Sequence, residues 1–170
     1  YYGGTTWDEG AGVATDVSDN VYLAGITSSA GLASGGFQNA LGGGGMDDAF
    51  LVKFNSAGAR LWATYYGGNG SDYPSSVAVP PGGSDVYLGG YTDSPSGIAS
   101  GGFDNSQNGD FDSFLVKFSP TGGRIWATYY GGPVAEEFGL VAADAAGNVF
   151  LAGDTYSTGL GSAGYDNTFT

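Results

Sequence analysis

The chain has 170 residues, of which 34 are glycine and 15% are aromatic, and it carries 17 acidic side chains against four basic ones. The formal net charge of −13 repels phosphate backbones and anionic lipid headgroups, so we expect no nucleic-acid partner and no membrane insertion. The sequence contains neither cysteine nor histidine, which removes disulfides, thiolate chemistry and the usual base that activates a nucleophile.

The sequence repeats itself with a period of about 64 residues. Its markers are Tyr-Tyr-Gly-Gly, which starts at Tyr1, Tyr65 and Tyr129, and Phe-Leu-Val-Lys-Phe, which starts at Phe50 and Phe114. We interpret residues 1–170 as a single domain. Its units are the repeats 1–64 and 65–128 and an incomplete repeat, 129–170.

Each repeat contains four short runs of β-branched and aromatic residues, bounded by turn-forming residues. In the first repeat the predicted strands are, in chain order, Gly12–Asp16, Val21–Gly25, Ala49–Phe54 and Arg60–Tyr66. Four strands in a unit of this length predict an all-β fold, a β-propeller segment of four-stranded antiparallel blades with about 2.7 blades in this chain. Because Trp62 and Trp126 recur once per blade, we expect both to be largely buried between adjacent blades.

The sequence also predicts the partners of the basic residues and the form of the first turn in each repeat. Lys53 and Arg60 fall roughly opposite each other in a hairpin, so we expect an acidic side chain to sit between them. The turn that begins at Asp144 in the third repeat has Pro80 at the corresponding position of the second repeat, so that turn should differ.

The order of the motifs resembles the bacterial SBBP repeat, a family named for a seven-bladed β-propeller. The likeness rests on Tyr-Tyr-Gly-Gly, an acidic residue at Asp8, Asp72 or Glu136, Asn-Val-Tyr-Leu-Ala-Gly, Phe-Gln-Asn and Asp-Ala-Phe-Leu-Val-Lys-Phe, and it spans essentially the whole chain. The resemblance implies a large secreted or surface-attached bacterial protein, and hence an extracellular or cell-surface location. It brings no catalytic motif to any position.

The predicted function is therefore a non-catalytic scaffold or binding module. A glycan-binding, lectin-like module is the alternative, and an enzyme acting on polysaccharides is a more distant one. Two neighbouring carboxylates can hydrolyse a glycosidic bond, but the acidic pairs here recur in the same phase of each repeat. A catalytic pair should occur once, so we assign no catalytic residue and no organic cofactor.

Calcium is the one metal that the acidic residues suggest. Asp47 and Asp48 follow a run of four glycines, and Asp110 and Asp112 are interpreted as their counterparts in the second repeat. Closely spaced carboxylates and backbone carbonyls are suitable ligands for this ion. The alternative is that these side chains cap turns by accepting hydrogen bonds from nearby backbone amides.

Trp7 is the candidate ligand contact, because Ser71 and Ala135 replace it in the other repeats and the blade does not require it. Packing at the boundary blade is the alternative role. The third repeat stops before its last two strands, so we expect a protein partner or missing flanking blades to cover the open ends. A glycan is a further possible ligand.

Overall fold

The computed structural model describes residues 1–43 and 47–161, which form ten β-strands. These are β1 (Asp8–Thr15), β2 (Val21–Thr27), β3 (Asp48–Phe54), β4 (Arg60–Tyr66), β5 (Asp72–Ala78), β6 (Val86–Thr92), β7 (Asp112–Phe118), β8 (Arg124–Tyr130), β9 (Glu136–Ala143) and β10 (Val149–Thr155). Within this part of the chain, no helix has the length and apolar character needed to cross a membrane.

The strands form three antiparallel sheets, which confirms the predicted fold class. β1 to β4 make one sheet in chain order, β5 to β8 make a second, and β9 pairs with β10 in the third. The first strand of each sheet contains a β-bulge, for example between Gly10 and Gly12. Each sheet begins a few residues after Tyr-Tyr-Gly-Gly, so this motif forms the end of one blade and the passage to the next.

Successive sheets pack through their first strands. β5 contacts β1, β2 and β3 of the preceding sheet, and β9 contacts β5, β6 and β7 in the same way. This repeated arrangement of four-stranded sheets is that of blades around a propeller axis. The first strands β1, β5 and β9 therefore lie side by side.

Aromatic side chains fill the space between consecutive blades. The Tyr66 ring at the end of the first sheet lies 5.5 Å from the ring of Phe114 and 5.6 Å from that of Phe118 in the second sheet. Tyr2 makes the same pair of contacts with Phe50 and Phe54, at 5.5 and 5.7 Å. The Phe-Leu-Val-Lys-Phe strand of one blade thus packs on the Tyr-Tyr-Gly-Gly segment before it.

The two repeated tryptophans differ in burial. Trp62 is 5% exposed, and its indole Nε1 donates a hydrogen bond to the Pro120 carbonyl at 2.9 Å. Gly122 lies over the ring so closely that a β-carbon there would sit 2.8 Å from Trp62 Cδ2. Trp126 is only partly buried, because the described residues of the third sheet include no hairpin equivalent to β7–β8 that could cover it. The predicted burial is confirmed for Trp62 and is incomplete for Trp126.

The long connections within the first two sheets cover their outer edges. The segment after β2 bridges to β4 through Ser34 with Ala63 and Gln38 with Tyr65. The equivalent segment of the second sheet bridges to β8 in the same manner. An exposed outer strand would offer unpaired backbone groups, so the segments containing Phe37-Gln38-Asn39 and Phe103-Asp104-Asn105 protect these edges.

The basic residues take partners different from the single shared acid that we expected. Lys53 forms a buried ion pair with Asp16 of the β1–β2 turn at 3.2 Å, whereas Arg60 donates to the Leu32 carbonyl at 2.9 Å. A bulge places Lys53 opposite Trp62 and not opposite Arg60, which separates the two positive charges. The expectation of an acid between them is therefore wrong for Arg60.

The second repeat compensates for the loss of the turn aspartate. Pro80 occupies the position of Asp16, and Lys117 pairs with Asp85 of the altered turn at 2.8 Å. This pair is more exposed than the Lys53 pair, with side-chain exposures of 23% and 35% against 6% and 3%.

The two ion pairs should therefore differ in their contribution to stability. We expect Asp16→Asn to lower the free energy of unfolding by about 3 kcal/mol, because Lys53 stays buried without a counter-charge. The matched substitution Asp85→Asn should cost under about 1 kcal/mol, because that pair is hydrated. Chemical denaturation of both variants measures the difference, and equal costs would contradict this assignment.

Candidate functional site

The structure places the four predicted calcium ligands in two separate sheets. Asp48 and Asp112 begin β3 and β7 and are fully buried, whereas Asp47 is partly exposed and Asp110 is exposed. The backbone carbonyl of Asp47 accepts the next blade's amide, and in the second blade the carbonyl of Phe111 does so. Asp110 is therefore not the counterpart of Asp47, and that part of the sequence interpretation is wrong.

Both buried aspartates accept hydrogen bonds from the loop before them. Asp48 Oδ2 accepts from the Gly42 amide at 2.7 Å. Asp112 accepts from the Asn108 amide at 2.9 Å and from the Gly109 amide at 3.2 Å. These bonds are those of turn-capping carboxylates, the alternative role predicted for these residues. Within residues 1–43 and 47–161, no group of three or more acidic side chains forms a metal-binding cluster.

Each of these aspartates faces an acidic side chain of the next blade. Asp48 Oδ1 and Asp72 Oδ2 both lie 2.6 Å from the point that a β-carbon on Gly67 would occupy. The two carboxyl groups therefore meet across the glycine of Tyr-Tyr-Gly-Gly, which must be glycine for them to fit. Asp112 and Glu136 meet across Gly131 in the same way at the second boundary.

The buried carboxyl pair at Gly67 is strongly perturbed. Burial raises the pKa of Asp48 to about 6, and the neighbouring charge of Asp47 adds to the shift. Burial also raises the pKa of Asp72 to about 7, with a further contribution from the charge of Asp48. Hydrogen bonds from Thr92, Gly68 and Ser94 to Asp72 act in the opposite direction.

This pair should make stability depend on pH near neutrality. Carboxyls with raised folded-state pKa values contribute stability below their ordinary value of 3.8 and lose it as the pH rises through about 6 to 7. We expect the free energy of unfolding to fall by roughly 4 kcal/mol between pH 5 and pH 8, with the larger part from Asp72. Asp48→Asn should flatten that fall, whereas the exposed control Asp110→Asn should not. Denaturation at several pH values tests this, and an unchanged slope in Asp48→Asn would argue against the pair.

Trp7 lies on a different feature, a groove of about 410 Å³ across the start of the first strands. We call it the Trp7 groove and define it by Trp7, Glu9, Tyr73, Tyr91 and Phe138. Trp7 is 49% exposed and Phe138 is 48% exposed, so both side chains offer contact area to a ligand. Tyr73 and Tyr91 stack on each other, with ring centroids 5.0 Å apart, and both line the groove.

The aromatic residues of this groove all depart from the repeat. Trp7 stands where the other repeats have serine and alanine, and Tyr73 stands where they have glutamate. Tyr91 corresponds to isoleucine and aspartate, and Phe138 to glycine and proline. The repeat therefore does not require these four side chains, although Phe138 of the third sheet packs on Tyr91 of the second at 5.9 Å.

Phe138 is held in an unusual backbone conformation at the rim of the groove. Its φ of 61° is in the left-handed region, which glycine adopts far more readily than a bulky residue. It stands at the bulge of β9, at the position that Gly10 has in β1. Strained residues of this kind collect at binding sites, where the surrounding structure holds them.

The charges around the Trp7 groove are acidic. Glu9 lines the groove. The pKa of Tyr91 is raised mainly by burial, and the charges of Tyr73 and Glu137 raise it further, so Glu137 also lies nearby. All four basic residues of the chain lie on third and fourth strands of the sheets: Lys53, Arg60, Lys117 and Arg124. The groove on the first strands therefore carries negative charge and apolar surface together.

The sequence interpretation found Trp7 and missed the residues around it. The departure from the repeat that selected Trp7 applies equally to Tyr73, Tyr91 and Phe138, so that signal was available. That the four meet in space depends on the packing of β1, β5 and β9, which a single repeat does not reveal. Asp72 and Glu136 are a similar case. The sequence shows that an acidic residue recurs at this position, but it does not show that each one faces an aspartate of the preceding blade.

Comparison with known proteins gives one informative similarity. The chain is 26% identical over 129 residues to an uncharacterised WD repeat-containing protein of Acanthamoeba polyphaga mimivirus. The match covers 62% of this chain but only 9% of the viral protein, so the chain corresponds to a small part of that relative's length. No family model matches the chain. The similarity to a repeat protein of the WD type agrees with the blade structure described above.

Proposed function

We propose that this chain is a non-catalytic β-propeller scaffold that binds another protein through the Trp7 groove. One observation carries the proposal: four aromatic side chains that the repeat does not require converge on one groove. Loops and strand ends held by a rigid scaffold are where binding residues concentrate. Tryptophan and tyrosine are also the residues most enriched at the centres of protein interfaces.

The chemistry of the groove indicates a basic partner segment. A lysine or arginine side chain of the partner would interact with the face of Trp7 and with the carboxylates of Glu9 and Glu137. The net charge of −13 would also attract such a segment from a distance. Apolar side chains beside that charge would cover Phe138, which is half exposed.

Selection from a displayed peptide library tests the proposal directly. We expect the wild-type chain to enrich peptides that combine basic with apolar or aromatic residues. Trp7→Ala should weaken their binding by at least about tenfold, which corresponds to the loss of a central interface side chain. Ile125→Ala, at a residue that is 52% exposed on the outer strand β8, is the matched control and should bind normally.

Phe138→Gly separates binding from stability. Glycine relieves the positive φ but loses the packing of Phe138 on Tyr91, so the free energy of unfolding should change by no more than about 1 kcal/mol, while the affinity for the selected peptides falls. A variant that binds normally, or that binds less only because it unfolds, would count against the Trp7 groove. Thermal melting and a binding titration on the same sample distinguish these results.

A glycan is the second candidate ligand, because a half-exposed indole beside a carboxylate also suits a sugar ring. Trp7 and Glu9 provide this combination. The mutual stacking of Tyr73 and Tyr91 occupies one face of each ring, which reduces the platform left for a sugar. A glycan array probed with wild-type and Trp7→Ala chains decides between the ligands, since binding that depends on Trp7 would favour the lectin function.

We also propose that the chain belongs with the bacterial SBBP repeats and works outside the cell or at its surface. The support is the order of the motifs, from Tyr-Tyr-Gly-Gly to Phe-Leu-Val-Lys-Phe, which occupy the same structural positions in both four-stranded sheets. Protease treatment of intact producing cells tests the location. Digestion without lysis would support a surface position, and full protection would contradict it.

We propose turn capping, and not calcium binding, as the role of Asp48 and Asp112; the calcium prediction for Asp47, Asp48, Asp110 and Asp112 is tested by chelation. Asp48 Oδ2 and both Asp112 oxygens already accept hydrogen bonds from backbone amides. We therefore expect thermal melting with and without a chelator to give the same midpoint. A midpoint that drops on chelation and returns with added calcium would establish a site there.

A further inference from the structure

The Trp7 groove is formed by residues of all three sheets. Strand β5 contacts both β1 and β9 and lies between them. Trp7, just before β1, and Phe138 of β9 therefore flank the stacked pair of Tyr73 from β5 and Tyr91 from β6. Trp7 and Phe138 are each about half exposed, so both leave ring surface open to a ligand on either side of the tyrosines.

The rings between Trp7 and the far wall of the groove hold fixed positions. Tyr73 and Tyr91 stack with an interplanar angle of 19°, and Phe111 packs on both, with ring centroids 6.3 and 5.7 Å away. Phe138 meets Tyr91 at 5.9 Å with its ring plane tilted by 56°. Two ring planes that meet at such an angle form a corner, in which one small group contacts more than one ring.

Three serines of the second blade hold the backbone around Phe138. Ser113 Oγ donates a hydrogen bond to the Phe138 carbonyl at 2.9 Å. Ser75 Oγ accepts one from the Gly139 amide at 3.2 Å, and Ser76 Oγ donates one to the Gly139 carbonyl at 3.3 Å. The first repeat has alanine, glycine and alanine at the positions of Ser75, Ser76 and Ser113, so the blade does not require these hydroxyls. They support the left-handed conformation that keeps the Phe138 ring on Tyr91.

Acidic side chains stand on both sides of the tyrosine stack. Glu9, which lines the groove, has the same register in the first sheet that Tyr73 has in the second. In the third sheet Glu137 occupies that register, and Asp154 lies directly opposite it on β10. Like charges that face each other across a strand pair are destabilising, and a nearby cation relieves their repulsion. The surroundings of the rings therefore favour a bound positive charge.

The chemistry of the groove also selects among cations. An ammonium group carries three N–H donors, and each needs an acceptor once water has been removed. Ring faces attract positive charge but are weak hydrogen-bond acceptors. A nitrogen that carries methyl groups in place of protons needs no acceptor, and its methyl groups bury apolar surface against the rings. Rings on several sides, with carboxylates near them, therefore suit a methylated nitrogen better than a bare ammonium.

We propose that the Trp7 groove binds a quaternary ammonium group, with its methyl groups against Trp7 and Phe138 and its charge near Glu9 and Glu137. This inference rests on the proposed function, since it names the cation through which the partner enters the groove. The same group occurs on proteins, as trimethylated lysine, and on small molecules such as choline. Matched probes separate these two sources.

Choline and 3,3-dimethylbutan-1-ol test the group itself, because they share a shape and differ in the charge of the central atom. In a titration followed by NMR, we expect choline to bind saturably and at least about tenfold more tightly than the neutral alcohol. The methyl proton signal of choline should move upfield, since protons above a ring face are shielded. Binding of the alcohol that is as tight as that of choline, or no saturable binding of choline, would overturn the inference.

Substitutions assign the binding to the Trp7 groove. Trp7→Ala should weaken choline binding at least about tenfold, and Trp7→Phe should weaken it less, because a phenyl ring keeps a face but attracts a cation less strongly than indole. Ile125→Ala, on the outer strand β8, is the matched control and should bind choline normally. Unchanged choline binding in folded Trp7→Ala protein would contradict the site.

N-acetyl-trimethyl-lysine amide and its unmethylated counterpart test the source of the group. Both carry one positive charge, so a difference in affinity reports the methyl groups. We expect the trimethylated compound to bind at least about fivefold more tightly than the lysine compound. Affinity at least equal to that of choline supports a side chain of a partner protein, whereas weaker affinity than choline supports a free small cation. Equal affinity for the two lysine compounds would refute the quaternary ammonium.

The displayed library of unmethylated peptides separates this inference from the proposed protein partner. Peptides that bind through Trp7, together with no gain from methylation in the lysine compounds, would keep the protein partner and refute the quaternary ammonium. Choline binding that depends on Trp7, together with no enriched peptide, would support the quaternary ammonium and count against an unmodified protein segment.

Discussion

The constraint on which this structure depends is that no blade can bury its own aromatic face. Tyr66 is fully buried only because Phe114 and Phe118 of the next sheet lie against it. The hairpin that supplies these side chains also covers Trp62 from the preceding blade. Each of these boundaries is therefore completed by the following repeat; Tyr130 and Trp126, for which residues 1–43 and 47–161 include no such hairpin, are less buried.

The same dependence explains where the acidic side chains lie. Asp48 and Asp72 belong to different blades and meet only when the boundary closes, across a glycine that has no room for a β-carbon. The aromatic residues pack adjacent sheets together, and burying two carboxyl groups at the same boundary opposes that packing. The boundary thus combines a large apolar gain with a pH-sensitive polar cost. Four aromatic residues that vary between repeats, Trp7, Tyr73, Tyr91 and Phe138, lie outside this carboxyl pair, in the Trp7 groove.

The blade architecture could be predicted from the sequence because the repeat period, the strand pattern and the turn residues all indicate the same four-stranded unit. It placed strands such as Arg60–Tyr66 correctly and recognised Trp7 as foreign to the repeat. It paired Asp110 with Asp47 wrongly, because the loops before β3 and β7 differ in sequence and only the backbone bond to the next blade fixes the equivalence. The partners of Asp48 and Trp7 come from other blades, and contacts of that kind cannot be read from one repeat.

Hydrogen–deuterium exchange resolved by mass spectrometry tests the central claim, that successive repeats form blades completed by their successors. β6 is paired on both sides and buried, whereas β10 pairs only with β9 in the part of the chain that the structure describes. The account predicts slow exchange in Val86–Thr92 and exchange that is faster by orders of magnitude in Val149–Thr155, although the two strands have related sequences. Equal protection of the two strands, or rapid exchange throughout β5 to β8, would contradict it.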